Sequence, residues 1–452
     1  MNLKKILVLF VILAGLIIAI NQADKVNRKK EEQKKVISMK SDDIIGLELI
    51  QNNYKVILKK VNNSWLLKAP IQTNADDFAV NRVLDDFAEL ESEKIVEEDC
   101  SNLEKYGLKN PEISVKLTDN KGKKIVLLFG EKAPTGDYYY ARLKDSNTVF
   151  LLSEIKKKAA EKTDFDLRDR HLIKFDTDKL NSYIINKVKD NTILEIKKEG
   201  DNWFFLKPKN ALAKSSEIDS MVSAIHSLEA KTIYKDSPTI DDLKKYNLDK
   251  PVFIVTLYIG KANGEVKLLI SEKDDKWYAY SKGSNFIAEI SSTFKDDIDK
   301  KFDELREKKV AVFPGYDVDR ITIVRKGKKY LMEKDENGVW RLKTPEEFIL
   351  DDDKVSEFIS YFEELEAKDI IDNPTDLEEY GLKKPQTTVI FHLQEENRNI
   401  ELYIGKIINN EVFVKNKNFT NIFKTGKDFI SKLKFDKIRN WERKEKKISK
   451  EG

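Results

Sequence analysis

One short phrase occurs three times in this chain, and it constrains the fold more than any other feature. It reads Leu103-Glu-Lys-Tyr106-Gly107-Leu108-Lys-Asn-Pro111, then Leu243-Lys-Lys-Tyr246-Asn247-Leu248-Asp-Lys-Pro251, then Leu377-Glu-Glu-Tyr380-Gly381-Leu382-Lys-Lys-Pro385. The prolines stand 140 and 134 residues apart. A tryptophan precedes each phrase, at Trp65, Trp203 and Trp340, at spacings of 138 and 137 residues. One unit has been copied, and its copies make up nearly the whole chain of 452 residues. Any fold must therefore be built three times over.

Each copy reads in the same order. Strand-like alternation comes first, as in Ile45-Gly-Leu47-Glu-Leu49 and Lys55-Val56-Ile57-Leu58-Lys59. A turn such as Asn62-Asn63-Ser64, Gly200-Asp-Asn or Asn337-Gly338 then places the tryptophan on the returning strand of a hairpin. A helix follows, with apolar residues three and four apart and an Asp or Ser start: Val80, Val83, Leu84 and Phe87; then Ile218, Met221, Val222 and Ile225; then Val355, Phe358, Ile359 and Phe362.

The repeated phrase reads as a helix stop. Ser101 and Thr375 stand three residues before Glu104 and Glu378, the capping-box spacing, and Asp241 serves as the cap in the second copy. Gly107 and Gly381 suit the left-handed closing position, and Asn247 is the next most tolerant residue there. Leu108, Leu248 and Leu382 fold back on the last turn. Pro111, Pro251 and Pro385 prevent the helix from restarting. Alternating runs resume after each proline without long crossovers. Antiparallel pairing is therefore expected, and the class is α+β. Each copy ends on a Leu/Ile-Arg element, at Leu167-Arg168, Leu305-Arg306 and Ile438-Arg439. Core and docking roles account for these, with a charged inter-domain latch as the alternative.

Residues Ile6 to Ile20 are uninterrupted apolar, and Lys4 and Lys5 precede them. As a helix this run is about 22 Å long, against a hydrocarbon core of ~30 Å. Flanking lysines can snorkel. No A-x-A cleavage pattern follows, so an uncleaved signal anchor is favoured over a cleaved signal. The downstream flank, Asp24 to Lys35, carries six Lys/Arg against three acids, which favours a cytoplasmic body on a literal positive-inside count. The basic start at the extreme N-terminus favours export, and an extracytoplasmic body is the expectation adopted. The expected layout is a transmembrane signal anchor at 1–22 and a charged stalk at 23–40. Three copies follow at 41–172, 173–310 and 311–441, then a charged tail at 442–452.

Charge excludes little except nucleic acid. The 82 Lys/Arg and 79 Asp/Glu nearly cancel, whereas nucleic-acid-binding domains are usually strongly basic. Cys100 is the only cysteine, so no intramolecular disulfide and no cysteine-rich metal site is expected. His171, His226 and His392 lie at unlike places in the copies and read as packing or surface residues. There is no Walker loop, G-x-S-x-G, H-E-x-x-H or EF-hand loop. Asp351-Asp352-Asp353 reads as an acidic helix start. No catalytic residue, metal ligand or cofactor is assigned. The aromatic runs Tyr138-Tyr139-Tyr140 and Trp277-Tyr278-Ala279-Tyr280 are the candidate interaction residues, with Tyr138, Tyr140, Trp277 and Tyr278 foremost.

The Tyr-Gly-Leu-x-x-Pro phrase, the helix before it, the tryptophan hairpin and the N-terminal apolar run together resemble the bacterial family called domain of unknown function 4340. The resemblance covers roughly residues 40 to 440, and Asn247 departs from the phrase in the middle copy. It implies a membrane-anchored extracytoplasmic protein, similar to auxiliary components of gliding-motility-type ABC transporters, and carries no catalytic residues. The leading expectation is a non-catalytic scaffold or accessory protein with transporter or envelope partners. The alternative is an envelope ligand-binding protein or an enzyme acting on cell-wall glycan or peptide.

Overall fold

The structure, a computed structural model, describes residues 34–444 apart from 261, 263 and 434. The expected anchor, most of the stalk and the end of the tail lie outside the described residues. Among the described residues no helix is long and apolar enough to cross a membrane.

The first copy is a nine-stranded sheet. Its strands are β1 (Ile44–Gln51), β2 (Tyr54–Val61), β3 (Ser64–Ala69), β4 (Thr73–Asn74), β5 (Lys94–Glu97), β6 (Ile113–Asp119), β7 (Lys124–Lys132), β8 (Tyr138–Leu143) and β9 (Val149–Ser153). The order is β4-β3-β2-β1-β6-β7-β8-β9-β5, and the same order recurs in two further nine-stranded sheets. The first four strands meander one way from β1. The chain then crosses through helix α1 (Asp77–Phe87) and β5, returns beside β1 as β6, and meanders the other way. Adjacent strands pair antiparallel, so the expected α+β class with three tandem units holds.

Local chemistry explains the elements. Asn62 and Asn63 both take positive φ, 49° and 70°, which matches the twist a two-residue hairpin turn needs. Asp76 caps α1 by accepting from the amides of Phe78 and Ala79 at 2.9 and 3.1 Å. The helix buries Val80, Val83, Leu84 and Phe87 against one sheet face. Each such side chain contributes about 1.5–3 kcal/mol relative to exposure. Equivalent helices, Ser215–His226 and Asp352–Glu363, bury the residues expected from their spacing.

The tryptophans tie hairpin to helix. Trp65, Trp203 and Trp340 are 1%, 2% and 4% exposed. The Trp65 indole donates to Asn81 at 3.3 Å and the Trp203 indole to Asp219 at 2.8 Å. Lys60, Lys198 and Lys334 lie over the three rings at 6.0, 5.5 and 5.3 Å.

Alternation along a strand sends neighbours to opposite faces. Leu127 and Phe129 of β7 join the α1 side, while Leu128 faces the other way into a second cluster with Cys100, Tyr106, Leu108 and Val149. The repeated phrase thus covers the sheet face opposite α1. The third copy repeats this, with Leu382, Phe413 and Ile422 forming the second cluster.

The chain falls into two compact units. One contains Met1–Lys174 with Leu228–Ser237 and Gly283–Glu289, and the other contains the rest. The boundary runs through copy 2, because strands of that copy pack with the end of copy 1.

Candidate interaction sites

The phrase closes in the same way each time. The amides of Leu108, Leu248 and Leu382 donate to the carbonyls of Leu103, Leu243 and Leu377 at 2.9, 2.9 and 2.8 Å. The amides of Gly107, Asn247 and Gly381 reach Glu104, Lys244 and Glu378 at 3.1, 3.1 and 3.0 Å. These are the paired bonds of a Schellman motif. The closing residues take φ of 67°, 58° and 69°. The start of the segment differs from expectation. Only copy 2 forms an α-helix here, Ile240–Lys245, and its capping box joins Thr239 to Asp242 rather than using Asp241. Copy 1 makes a four-residue 3₁₀ turn after Asn102 with no side-chain cap. In copy 3 Asp376 accepts from the Glu378 amide at 2.8 Å. In copy 1 the N-cap position falls on Asn102 rather than Ser101, so Glu104 stands one residue short of the N3 place that a capping box needs.

A residue that the sequence reading left unassigned holds the phrase down. A Cβ on Gly130 would lie 2.1 Å from the Tyr106 carbonyl oxygen, and one on Gly405 would lie 2.2 Å from that of Tyr380. Copy 2 has Ser271 at this place, and its hydroxyl donates to the Tyr246 carbonyl at 2.6 Å. The phrase tyrosines pack with tilted rings against the next strand: Tyr106 on Tyr140 at 4.7 Å, Tyr246 on Tyr278 at 4.9 Å, and Tyr380 on Phe413 at 4.9 Å. Tyr140 and Tyr278 are thus occupied in packing. Trp277 and Tyr278 are 7% and 6% exposed, so neither ring is displayed as an interaction surface. Tyr138 is half-buried.

Beside the phrase lies a surface cavity, present in copy 3 and copy 1 with volumes of about 580 and 610 Å³. The two occupy equivalent positions. Gly381 and Gly405 line the first, and Gly107 and Gly130 line the second. Their walls differ in sign. The copy 3 cavity has Arg325, Lys326, Lys383, Lys384 and Lys406 against Glu378. The copy 1 cavity has Lys109 and Lys157 against Glu104, Glu112, Glu131 and Glu161.

A second recurring device joins copies. Arg168, 4% exposed, donates to both carboxylate oxygens of Asp236 at 2.6 and 3.3 Å and lies over Phe286 at 5.2 Å. Arg306, 5% exposed, makes the matching bidentate contact to Asp372, which also takes Lys209 at 2.6 Å. Burial works against ionisation at Asp372, but the hydrogen bonds from Arg306 and Lys209 outweigh it and hold the carboxyl below its ordinary range. The expected third member, Ile438-Arg439, is out of register with the others. The backbone bonds Asp76 N to Leu167 O and Lys214 N to Leu305 O are matched by Asp351 N to Trp441 O. Glu442 therefore stands where Arg168 and Arg306 stand.

The remaining candidates have local roles. Asp351 accepts from the Asp353 amide as an N-cap. Cys100 is buried in the phrase cluster. His171 contacts Asp169 at 2.8 Å, and Lys174 reaches the same carboxylate at 2.7 Å. Burial opposes ionisation of Asp169, and these two partners overcome it and lower its pKa. His392 contacts Asp319 at 2.6 Å, and His226 packs edge-on to Phe175. Among the described residues no group of three or more His, Cys, Asp or Glu side chains is placed to hold a metal.

These features define a tandem α+β repeat protein whose copies share one strand order and one phrase. The chain belongs to the family described as domain of unknown function (DUF4340), which matches residues 65–204, 203–385 and 340–445. No curated protein matches it in sequence. Among solved structures it aligns with a DNA polymerase sliding clamp from Pseudomonas aeruginosa at 6% identity, covering 88% of this chain and 94% of the other with a TM-score of 0.16. A putative DNA polymerase III beta subunit from Eubacterium rectale aligns at 7% identity, covering 87% and 94%, with a TM-score of 0.17. Likenesses this weak carry no argument about fold or function.

Proposed function

We propose that this chain is a non-catalytic scaffold or accessory subunit, anchored in a membrane by residues 1–22, with an extracytoplasmic body that serves an ABC-type transport system. The supporting observation is the buried arginine latch repeated at Arg168–Asp236 and Arg306–Asp372. In each pair the arginine is buried and its two-pronged contact sets one register of the exit element on the following copy, which suits a protein whose task is to hold a defined arrangement. The anchor rests on the apolar run Ile6 to Ile20 after Lys4 and Lys5.

A second reading, an envelope ligand-binding protein or an enzyme acting on glycan or peptide, draws support from one cavity of about 600 Å³. Residues of copy 2 (Glu199, Asp201 and Phe204) and of copy 3 (Glu396, Arg398 and Phe419) line it.

The test is topological. Alkaline phosphatase fused after Gly452 should be active in whole cells, and the fusion should stay with membranes after a high-salt wash. Deleting residues 6–20 should release it. An inactive phosphatase paired with a fluorescent cytoplasmic reporter at the same position would refute the extracytoplasmic body.

A further inference from the structure

We propose that the copy 3 cavity beside the repeated phrase is a binding site for a phosphate group, carried either by a membrane lipid or by a soluble phosphate ester. Five cations converge on about 580 Å³ of space, against one carboxylate. Three of them are partly engaged. Lys383 pairs with Glu378 at 2.9 Å. Lys406 donates to the carbonyls of Glu378 and Glu379, both at 3.2 Å. Arg325 donates to the Leu433 carbonyl. Only the first of these contacts neutralises charge. Lys326 and Lys384 make no side-chain hydrogen bond or ion pair among the described residues, and both line the cavity.

Copy 1 shows that packing does not require this charge. The same phrase, the same closing glycines and a cavity of nearly the same size exist there with Asn52, Asn110 and Glu131 in place of Lys326, Lys384 and Lys406. The amides of Asn52 and Lys326 make matching bonds, to Glu112 O at 2.7 Å and to Gln386 O at 3.0 Å, which fixes the equivalence. Since the fold accepts either sign, the cluster in copy 3 carries an uncompensated mutual repulsion, which an anion would relieve. A phosphate dianion suits it better than a single carboxylate, because several ammonium groups face one space and lysine recognises phosphate as a point charge. Ile404, Ile407 and Ile430 form an apolar wall beside the cations, and Ile407 is 53% exposed. An ester with an apolar or glycerol portion therefore fits the site.

The experiment compares the full chain in neutral detergent with the Lys326→Asn/Lys384→Asn variant, which installs the copy 1 residues. Asparagine also tolerates the φ of 47° at position 326. Calorimetric titrations use pyrophosphate, glycerol 3-phosphate, and short-chain phosphatidylglycerol against phosphatidylcholine. The wild type should bind at least one of these phosphate-bearing anions, the variant about tenfold more weakly, and raised salt should weaken the wild type more. Binding of phosphatidylglycerol alone assigns the lipid source, and binding of pyrophosphate or glycerol 3-phosphate assigns the soluble one. An unchanged thermal midpoint in the variant shows that it folds. Failure of the wild type to bind any of these anions, or equal binding by both proteins, overturns the site.

Discussion

Breaking the latch at Asp372 should cost more than breaking it at Arg306: both changes remove the Arg306–Asp372 pair, and the Lys209 contact that Asp372→Ala also removes is made by a lysine 45% exposed, worth at most about 1 kcal/mol. The asymmetry follows from what each leaves behind. Asp372→Ala strands a guanidinium that is only 5% exposed and has its Nε already without a partner. An uncompensated buried charge costs about 3–5 kcal/mol. Arg306→Met strands a carboxylate that is 19% exposed and still holds Lys209 at 2.6 Å, and the methionine retains the apolar stem. That loss resembles a charged hydrogen bond, about 1.5–3 kcal/mol. At roughly 2 °C per kcal/mol for a large domain, Asp372→Ala should lower the midpoint of the affected transition by about 6–10 °C, and Arg306→Met by about 3–6 °C. Differential scanning calorimetry of the full chain measures both. Equal midpoints, or a larger loss for Arg306→Met, would refute the claim that burial of the arginine sets the cost.

Three further outcomes follow from the same geometry. Gly381→Val should destabilise copy 3 by about 1–3 kcal/mol, since φ is 69° and a Cβ would meet Lys406 Cγ at 2.7 Å; an unchanged urea midpoint would remove the closing-turn argument. Trp340→Ala should cost about 3–5 kcal/mol for a ring 4% exposed, and a cost near zero would mark the ring as dispensable to the core. The Asp372 carboxyl is held below its ordinary range in the folded state, so its stabilisation is complete above about pH 4 and is lost as pH falls through the lowered folded value. The gap in stability between wild type and Asp372→Asn should therefore narrow below pH 4, and a gap that widens there would contradict the sign.

The repeat order, the tryptophan hairpin, the amphipathic helix and the left-handed closure at Gly107, Asn247 and Gly381 were legible because each depends on residues close in sequence. What was not legible depends on distance. Gly130 and Gly405 read as strand residues, and only the fold brings the Tyr106 and Tyr380 carbonyls against them. The acids that receive Arg168 and Arg306 lie 68 and 66 residues further on, beyond any local pattern. The third exit element was misplaced because Ile438-Arg439 matches the motif in letters, while the backbone register falls on Trp441-Glu442. The aromatic runs looked available because strand alternation frees one face, yet the phrase itself covers that face with Tyr106 and Tyr246. The paired cavities were missed for a related reason. By its letters the phrase is a helix stop, whereas in the fold its closing glycines also form cavity walls whose charge is set by residues from three separate segments.

The proposed scaffold role is tested most directly by what the intact protein holds. The full chain, tagged at its C-terminus, is purified from detergent-solubilised membranes, and its companions are quantified by mass spectrometry against an Asp236→Ala/Asp372→Ala double variant present at equal abundance. The account predicts that the subunits of an ABC-type transporter co-purify in near-stoichiometric amounts with the wild type and are depleted with the variant. Recovery of the wild type alone, or with no transporter subunit above background, would contradict it.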